Sequence, residues 1–414
     1  MRVLVLVPEI GKSTAPALRW KVLLSELVRA GHSVFVIEFP KGVPFLIESG
    51  EFNLRLLDKS TITLSISLCK LDTNVFKIGK MFKVVLRKRN TYYDIVRLIS
   101  LLGKQFNPDI ILASVPPPQL AIIAYFLSEN LNVPYIIDVR DLIEDYYFDI
   151  ELKNRNIVEK TIWINMVLKK YLKSLMKSYL LMTVNDFFAT VLKYRYNKKI
   201  IVIPNGATIL PKETEIADIN KRPKLLIYAG KLARGMCKYY GLKAILQAWK
   251  RVVEVHRNYK LVIVGGGEML DEYVKYVKIN NVPKVIFTGP LSFEKTISLA
   301  MKSRGGIVWC NVEKSYAFKL AIPVKLFDYT SAGLPVFAAG LKNTVVRLLI
   351  EKYKLGYYYV VNECNHEILS NGLIEFINRI EEGLFNATRI WKFASLFIRS
   401  KYAHLLCDIL SSLL

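Results

Sequence analysis

The chain has 414 residues, 52% of them apolar, and 59 Lys and Arg against 35 Asp and Glu give a formal net charge of +24 at pH 7. One hydrophobic core seldom organises so long a chain, so two domains are expected, and the apolar share with 21 Gly and 16 Pro excludes disordered, collagen-like and low-complexity polymers. The five cysteines are scattered without a CxxC pair, which predicts neither a disulfide framework nor a zinc site and points to a reducing cytoplasm.

The opening RVLVLVP is an aliphatic run of strand length, too short for the core of a signal peptide. After Gly11, Leu23, Leu27 and Val28 recur at helical spacing, and HSVFVIEF completes a strand, helix, strand unit. A basic block follows at residues 77–104, where only Asp94 opposes eight Lys and Arg. Read as a helix, residues 78–89 place Lys80, Lys83 and Arg87 on one side and Met81, Phe82, Val85 and Leu86 on the other.

Residues 110–128 are uncharged, but Pro116, Pro117 and Pro118 interrupt them, so a strand, a turn and a helix are expected in place of a membrane span. PDIILAS, QLAIIAYFLSEN and VPYIIDV repeat the alternation that a parallel sheet covered by helices requires. In IWINMVLKKYLKSLMKSYLL, Ile164, Leu168, Leu172, Leu175 and Tyr179 form one stripe, with Lys169, Lys170, Lys173 and Lys177 opposite. A polar, proline-bounded stretch from Pro211 to Pro223 separates this series from a second one: KLLIYAG, KLVIVGGGE, KVIFTG, GGIVWC and LPVFAAG.

The expected architecture is α/β, with two Rossmann-like parallel-sheet domains facing a central cleft. Residues 1–205 form the first domain, 206–222 a linker and 223–385 the second domain. Residues 386–414 form a C-terminal helix that carries Ile390, Phe393, Ala394 and Phe397 at helical spacing.

Seven segments carry more specific information: SVPPPQL, PYIIDVRDL, VIPNGAT, YAGKL, LVIVGGGE, IFTGPL and PVKLFDYTSAGLPV. In this order, over about residues 110–340, they resemble the retaining GT-B glycosyltransferases of family four, among the group 1 glycosyl transferases. The KLFDYTSAGLPV block is the most specific, and the RDL and KLFDY variants look most like enzymes that build cell-surface polysaccharides, lipid-linked oligosaccharides or protein glycans.

The resemblance implies a nucleotide-diphosphate sugar as donor substrate and a glycan or lipid-linked acceptor, with no cofactor. As the glycosidic bond breaks, the leaving diphosphate needs cations and backbone N–H groups. Lys231 matches the basic residue that follows the strand Gly in the family and is the candidate catalytic cation, with Arg234 and Lys238 as further donor contacts. Tyr240 stands where a second lysine is usual. Gly11, in the loop after the first strand, either lets amides approach a phosphate or makes a tight turn. Gly265, Gly266 and Gly267 match a loop facing the nucleotide, although close packing of strand and helix explains them as well. Gly289, Pro290 and Leu291 match the segment bordering the nucleobase.

Family members carry two acids eight positions apart, the first touching the donor sugar and the second the ribose. Asp328 matches the second, while Leu320 replaces the first. Donor-sugar contact must then come from Glu313, Lys319 or Lys325, and Lys325 is favoured because it matches a lysine of the KLFDY variant.

Asp138, Arg140 and Asp141 match the DVRD segment at a strand end. Asp141 is the candidate acceptor-side base, with a structural ion pair between Arg140 and Asp141 as the alternative. His32, His256, His366 and His404 form no catalytic or metal constellation, and no DxD motif lies at a strand end, so no metal is expected. The basic amphipathic segments suggest an anionic membrane surface as partner, and hence a cytoplasmic protein peripheral on the inner face of the cell membrane, while a core-facing stripe with a solvated lysine face explains the second segment at least as well. Nucleic acid is not expected, since no RNP-type motif, GXXG clamp or zinc finger is present. The rival functions are a catalytically inactive GT-B scaffold, suggested by Leu320 and Tyr240, and a basic nucleic-acid-binding protein.

Overall fold

The computed structural model describes residues 1–8, 10, 15–39, 50–57, 63–68, 75–78, 82–85, 91–148, 156–233 and 241–412. Gly11, Arg234, Lys238 and Tyr240 lie outside the described residues, as do Lys80 and Arg87. The chain divides into two compact units, Met1–Pro204 with Arg399–Leu414, and Asn205–Ile398.

The first unit contains β1 (Arg2–Val7), β2 (Ser33–Glu38), β3 (Gly50–Leu57), β4 (Thr63–Leu68), β5 (Val75–Ile78), β6 (Phe82–Val85), β7 (Ile110–Val115), β8 (Tyr135–Val139), β9 (Leu180–Thr183) and β10 (Ile200–Val202). Its main sheet runs in the order β10-β9-β8-β7-β1-β2-β3-β4. The six strands from β10 to β2 are parallel, as the continuous aliphatic runs predict: Val3 to Val7 and Ile110 to Ala113 are buried on both faces of the sheet.

Two features of this unit depart from expectation. β3 and β4 extend the sheet edge in antiparallel register, and β5 pairs with β6 as a separate antiparallel ribbon. The second feature corrects the helix read over residues 78–89, because Phe82–Val85 is strand. In FKVV the β-branched pair Val84 and Val85 prefers extended backbone.

The second unit is a six-stranded sheet of β11 (Leu225–Ala229), β12 (Lys260–Val264), β13 (Val285–Gly289), β14 (Gly305–Asn311), β15 (Val336–Gly340) and β16 (Gly356–Val360). All are parallel, in the order β13-β12-β11-β14-β15-β16. Helices pack both faces: Leu242–Val255 and His366–Glu381 bury Trp249 and Phe376 on one side, while Val324–Ser331 buries Leu326, Phe327 and Tyr329 on the other. Both units therefore have the Rossmann-like doubly wound form.

Residues 206–222, read from sequence as a linker, are packed into the second unit. Ala207 and Ile219 are buried, and Arg222 donates to the carbonyls of Ala217 and Ser303. The tail is helical, yet it is two helices and not one: Ala387–Leu396 packs Phe393 on Phe327 in the second unit, and Arg399–Ser411 packs on helix Ala15–Arg29 in the first.

Cys310, in β14, and Cys364, 54 residues later, are joined by a disulfide with Cα atoms 6.1 Å apart. This corrects the expectation of no disulfide, which their spacing in sequence could not reveal. No helix among the described residues is long and apolar enough to cross a membrane.

Candidate active site

Open parallel sheets bind ligands outside the carboxyl ends of their strands, where the strand order reverses. In the second unit that reversal falls between β11 and β14, because the chain leaves β11 toward β12 and β13 and then returns to the other side. Lys231 follows β11, Gly265 to Gly267 follow β12, Pro290 and Leu291 follow β13, and Glu313 follows β14. The loop candidates of the second unit among the described residues thus follow the carboxyl ends of one sheet, and helix Val324–Ser331 carries Lys325 and Asp328.

Tyr329 and Lys325 tie that helix to β11. The Tyr329 hydroxyl, fully buried, accepts the backbone N–H of Ala229 at 2.7 Å, and burial pushes its pKa well up, so it stays a neutral phenol. Gly306 makes room for it, since an added Cβ would lie 2.6 Å from the Tyr329 ring. One turn earlier the Lys325 ammonium sits over the Tyr228 ring, 3.7 Å from its centroid, and donates to the Val308 carbonyl at 3.5 Å. A Cβ built on Gly230 would meet Lys325 Cε at 3.0 Å, so the ammonium of Lys325 lies against the backbone that leads into exposed Lys231. Two cations therefore flank Gly230 at the reversal point. Tyr228 and Tyr329 were not singled out in the sequence, although their aromatic character in YAG and KLFDY was the available signal.

The glycines after β12 are explained by close backbone approach. Gly265 has φ +140°, and a Cβ there would fall 1.9 Å from the Gly230 carbonyl oxygen; at Gly267 it would fall 2.5 Å from that of Leu232. Main-chain bonds lace these loops together: Gly230 N–H to Val264 O, Leu232 N–H to Gly266 O, and Gly265 N–H to Gly289 O, each at 2.9 Å. This packing of loop on loop is a physical reason for glycine at 265 and 267.

Asp328 is half-buried one residue before Tyr329. Leu320, which stands where the first acid is expected, ends the short helix Tyr316–Lys319, while Glu313 is half-buried with its N–H bonded to Asn311 Oδ1.

In the first unit the strand order reverses between β1 and β7. Asp141 follows β8 nearby and is exposed; the protein mass around its carboxyl, with Asp138 adding and Arg140 opposing, directs its pKa upward, and solvent access keeps the effect in check. The ion pair at this strand end is not Arg140 with Asp141. Arg140 donates to Ser114 Oγ at 2.9 Å and the Pro116 carbonyl at 2.7 Å. The charge pair is instead Arg19 with Asp138, both fully buried, with bonds of 2.9 and 3.1 Å, and Arg19 also holds the carbonyls of Ile203 and Pro204. Arg19 lies 119 residues from its partner and left no signal in the sequence.

Residues 211–382 match the family model of glycosyl transferases, group 1. The group 1 match covers the second-unit candidates, Lys231 through Asp328, and most of the second unit. Among curated proteins, none matches the chain in sequence. Solved structures resemble it over its whole length. The pneumococcal O-GlcNAc transferase GtfA in complex with UDP and GlcNAc is 11% identical with a TM-score of 0.64, covering 100% of this chain and 99% of that one. Sucrose-phosphate synthase from Thermosynechococcus elongatus is 12% identical with a TM-score of 0.67, covering 100% and 99%. Anabaena HepE in complex with UDP-glucose is 13% identical with a TM-score of 0.62, covering 100% of both chains. At these identities the likeness is one of fold, the two Rossmann-like domains of the GT-B class.

Proposed function

We propose that this protein is a retaining glycosyltransferase that moves a sugar from a nucleotide-diphosphate donor to a lipid-linked, polysaccharide or glycan acceptor. The observation that carries the reading is the pair of cations around Gly230, at the strand-order reversal of the sheet that the group 1 match covers. In this reading Lys231 stabilises charge as the diphosphate leaves, Lys325 holds the donor in the ground state, and Asp328 accepts from the ribose hydroxyls. The acceptor hydroxyl attacks from the face that the diphosphate vacates, and Asp141 is the candidate base on the acceptor side. Transfer proceeds without a metal ion. The solved relatives with UDP or UDP-glucose bound support a nucleotide sugar as donor.

In this reading the acceptor lies at an anionic membrane surface. On helix Lys169–Lys177, Lys169, Lys173 and Lys177 are exposed beside Met176 at 60% and Tyr179 at 53% exposure, so a basic face carries apolar side chains that could enter a headgroup layer. Co-sedimentation with anionic and neutral vesicles tests it. Lys169→Glu with Lys177→Glu should reduce binding to the anionic vesicles at least tenfold, and equal binding to both vesicle types contradicts it.

An inactive scaffold is the second reading, favoured by Leu320 at the position of the first acid. A thermal-shift panel of UDP, GDP and ADP sugars tests donor binding, since a ligand that binds the folded state raises its melting temperature. Stabilisation by one nucleotide class is expected, and none by any of them contradicts the donor assignment.

A further inference from the structure

Asn311 is the last residue of β14, at the strand-order reversal, and was not singled out by its sequence. It is 6% exposed, and its amide is oriented from one side only: Oδ1 accepts the N–H of Glu313 at 2.9 Å, an Asx turn that fixes the plane of the group. The other end, Nδ2, is buried and has no acceptor among the described residues. The backbone beneath it has little freedom, because a Cβ on Gly340 would lie 2.3 Å from the Asn311 carbonyl oxygen. An amide nitrogen carries two N–H donors, and buried donors in native proteins almost always have partners.

We propose that Asn311 Nδ2 donates to a hydroxyl of the donor's sugar, a sugar contact of opposite polarity to the one lost where Leu320 replaces an acid. This rests on the donor reading above and deepens it. A neutral donor at this point binds the oxygen lone pairs of a sugar hydroxyl, whereas the missing carboxylate would have accepted its hydrogen. The inference therefore concerns which sugars the site accepts more than whether it binds a nucleotide.

Calorimetric titration of wild type, Asn311→Ser and Asn311→Thr tests it, with UDP, GDP and ADP set against UDP-glucose, GDP-mannose and ADP-glucose. Both substitutions can still accept the Glu313 N–H and remove the amide nitrogen, so the second serves if the first fails to fold. The expected result is at least a fivefold loss of affinity for the sugar conjugate that wild type binds, with affinity for its parent nucleotide unchanged within twofold. Equal affinities in wild type and variant, or equal losses for conjugate and parent nucleotide, overturn the assignment of Asn311. If wild type binds none of the six, the donor reading itself fails and the proposal falls with it.

Discussion

The Lys325 ammonium lies 3.7 Å from the centroid of the Tyr228 ring. Tyr228 is fully buried in β11, so one face of this cation is held by an immobile aromatic surface before any ligand arrives. Lys231, three residues after Tyr228, is exposed. The two lysines are consequently expected to act at different stages.

Lys231→Ala should lower turnover more than donor affinity, because the diphosphate gains charge only as the glycosidic bond breaks. Lys325→Ala should do the reverse, raising KM for the donor with a smaller effect on kcat, since its held ammonium meets substrate and transition state alike. Steady-state kinetics on both variants separates the roles, and the same pattern in the two would contradict the division.

Asp328→Asn should weaken nucleotide-sugar binding by about 1 to 2 kcal/mol with an unchanged melting temperature, because a neutral amide oxygen accepts more weakly from ribose hydroxyls than a carboxylate does. The 2′-deoxy form of the donor should narrow the difference between variant and wild type. Unchanged donor affinity would remove Asp328 from the site.

The Arg19 and Asp138 pair makes a stability prediction. Replacing Arg19 with Met leaves Asp138 buried at 1% exposure without its counter-ion, and should cost about 3 to 5 kcal/mol in urea denaturation. Arg19→Met with Asp138→Leu should recover part of that loss. An unaltered midpoint in the single variant would mean that the carboxyl is not held as a charge.

Two histidines, one in each unit, give the chain a pH dependence with a defined sign. Burial is the first cause lowering the pKa of both His32 and His256; at His32 the amino terminus adds to it, while at His256 a backbone bond and Glu381 oppose it. A depressed folded-state pKa means that the unfolded chain binds protons more readily. This contribution to stability is present above the unfolded value of about 6.5 and is lost as pH falls through the lower folded values. Melting temperature should fall between roughly pH 7 and 5, and His32→Gln with His256→Gln should flatten that slope. A slope that persists in the double variant would assign it to other groups.

Much of the fold was legible because strands covered on both faces must be apolar throughout, and RVLVLV, KLVIV and GGIVWCN read that way in any context. The position of Lys231 at the end of β11 was legible through motif order, which fixes strand ends. The rest depended on distance in space. Arg19 and Asp138, or Cys310 and Cys364, meet only through tertiary packing. Residues 82–85 misled because a short stretch of mixed Lys and Val fits either period. The break at Phe397 escaped because helical spacing continues through it.

The central claim is transfer from a nucleotide sugar, and the most direct measurement is release of nucleoside diphosphate from a panel of UDP, GDP and ADP sugars with water as acceptor. Wild type should release diphosphate from at least one donor class above the uncatalysed rate, without added metal and in the presence of EDTA, and Lys231→Ala should lower that rate about 100-fold. A wild-type protein that binds a nucleotide sugar yet releases no diphosphate above background would contradict the account and identify the chain as an inactive scaffold.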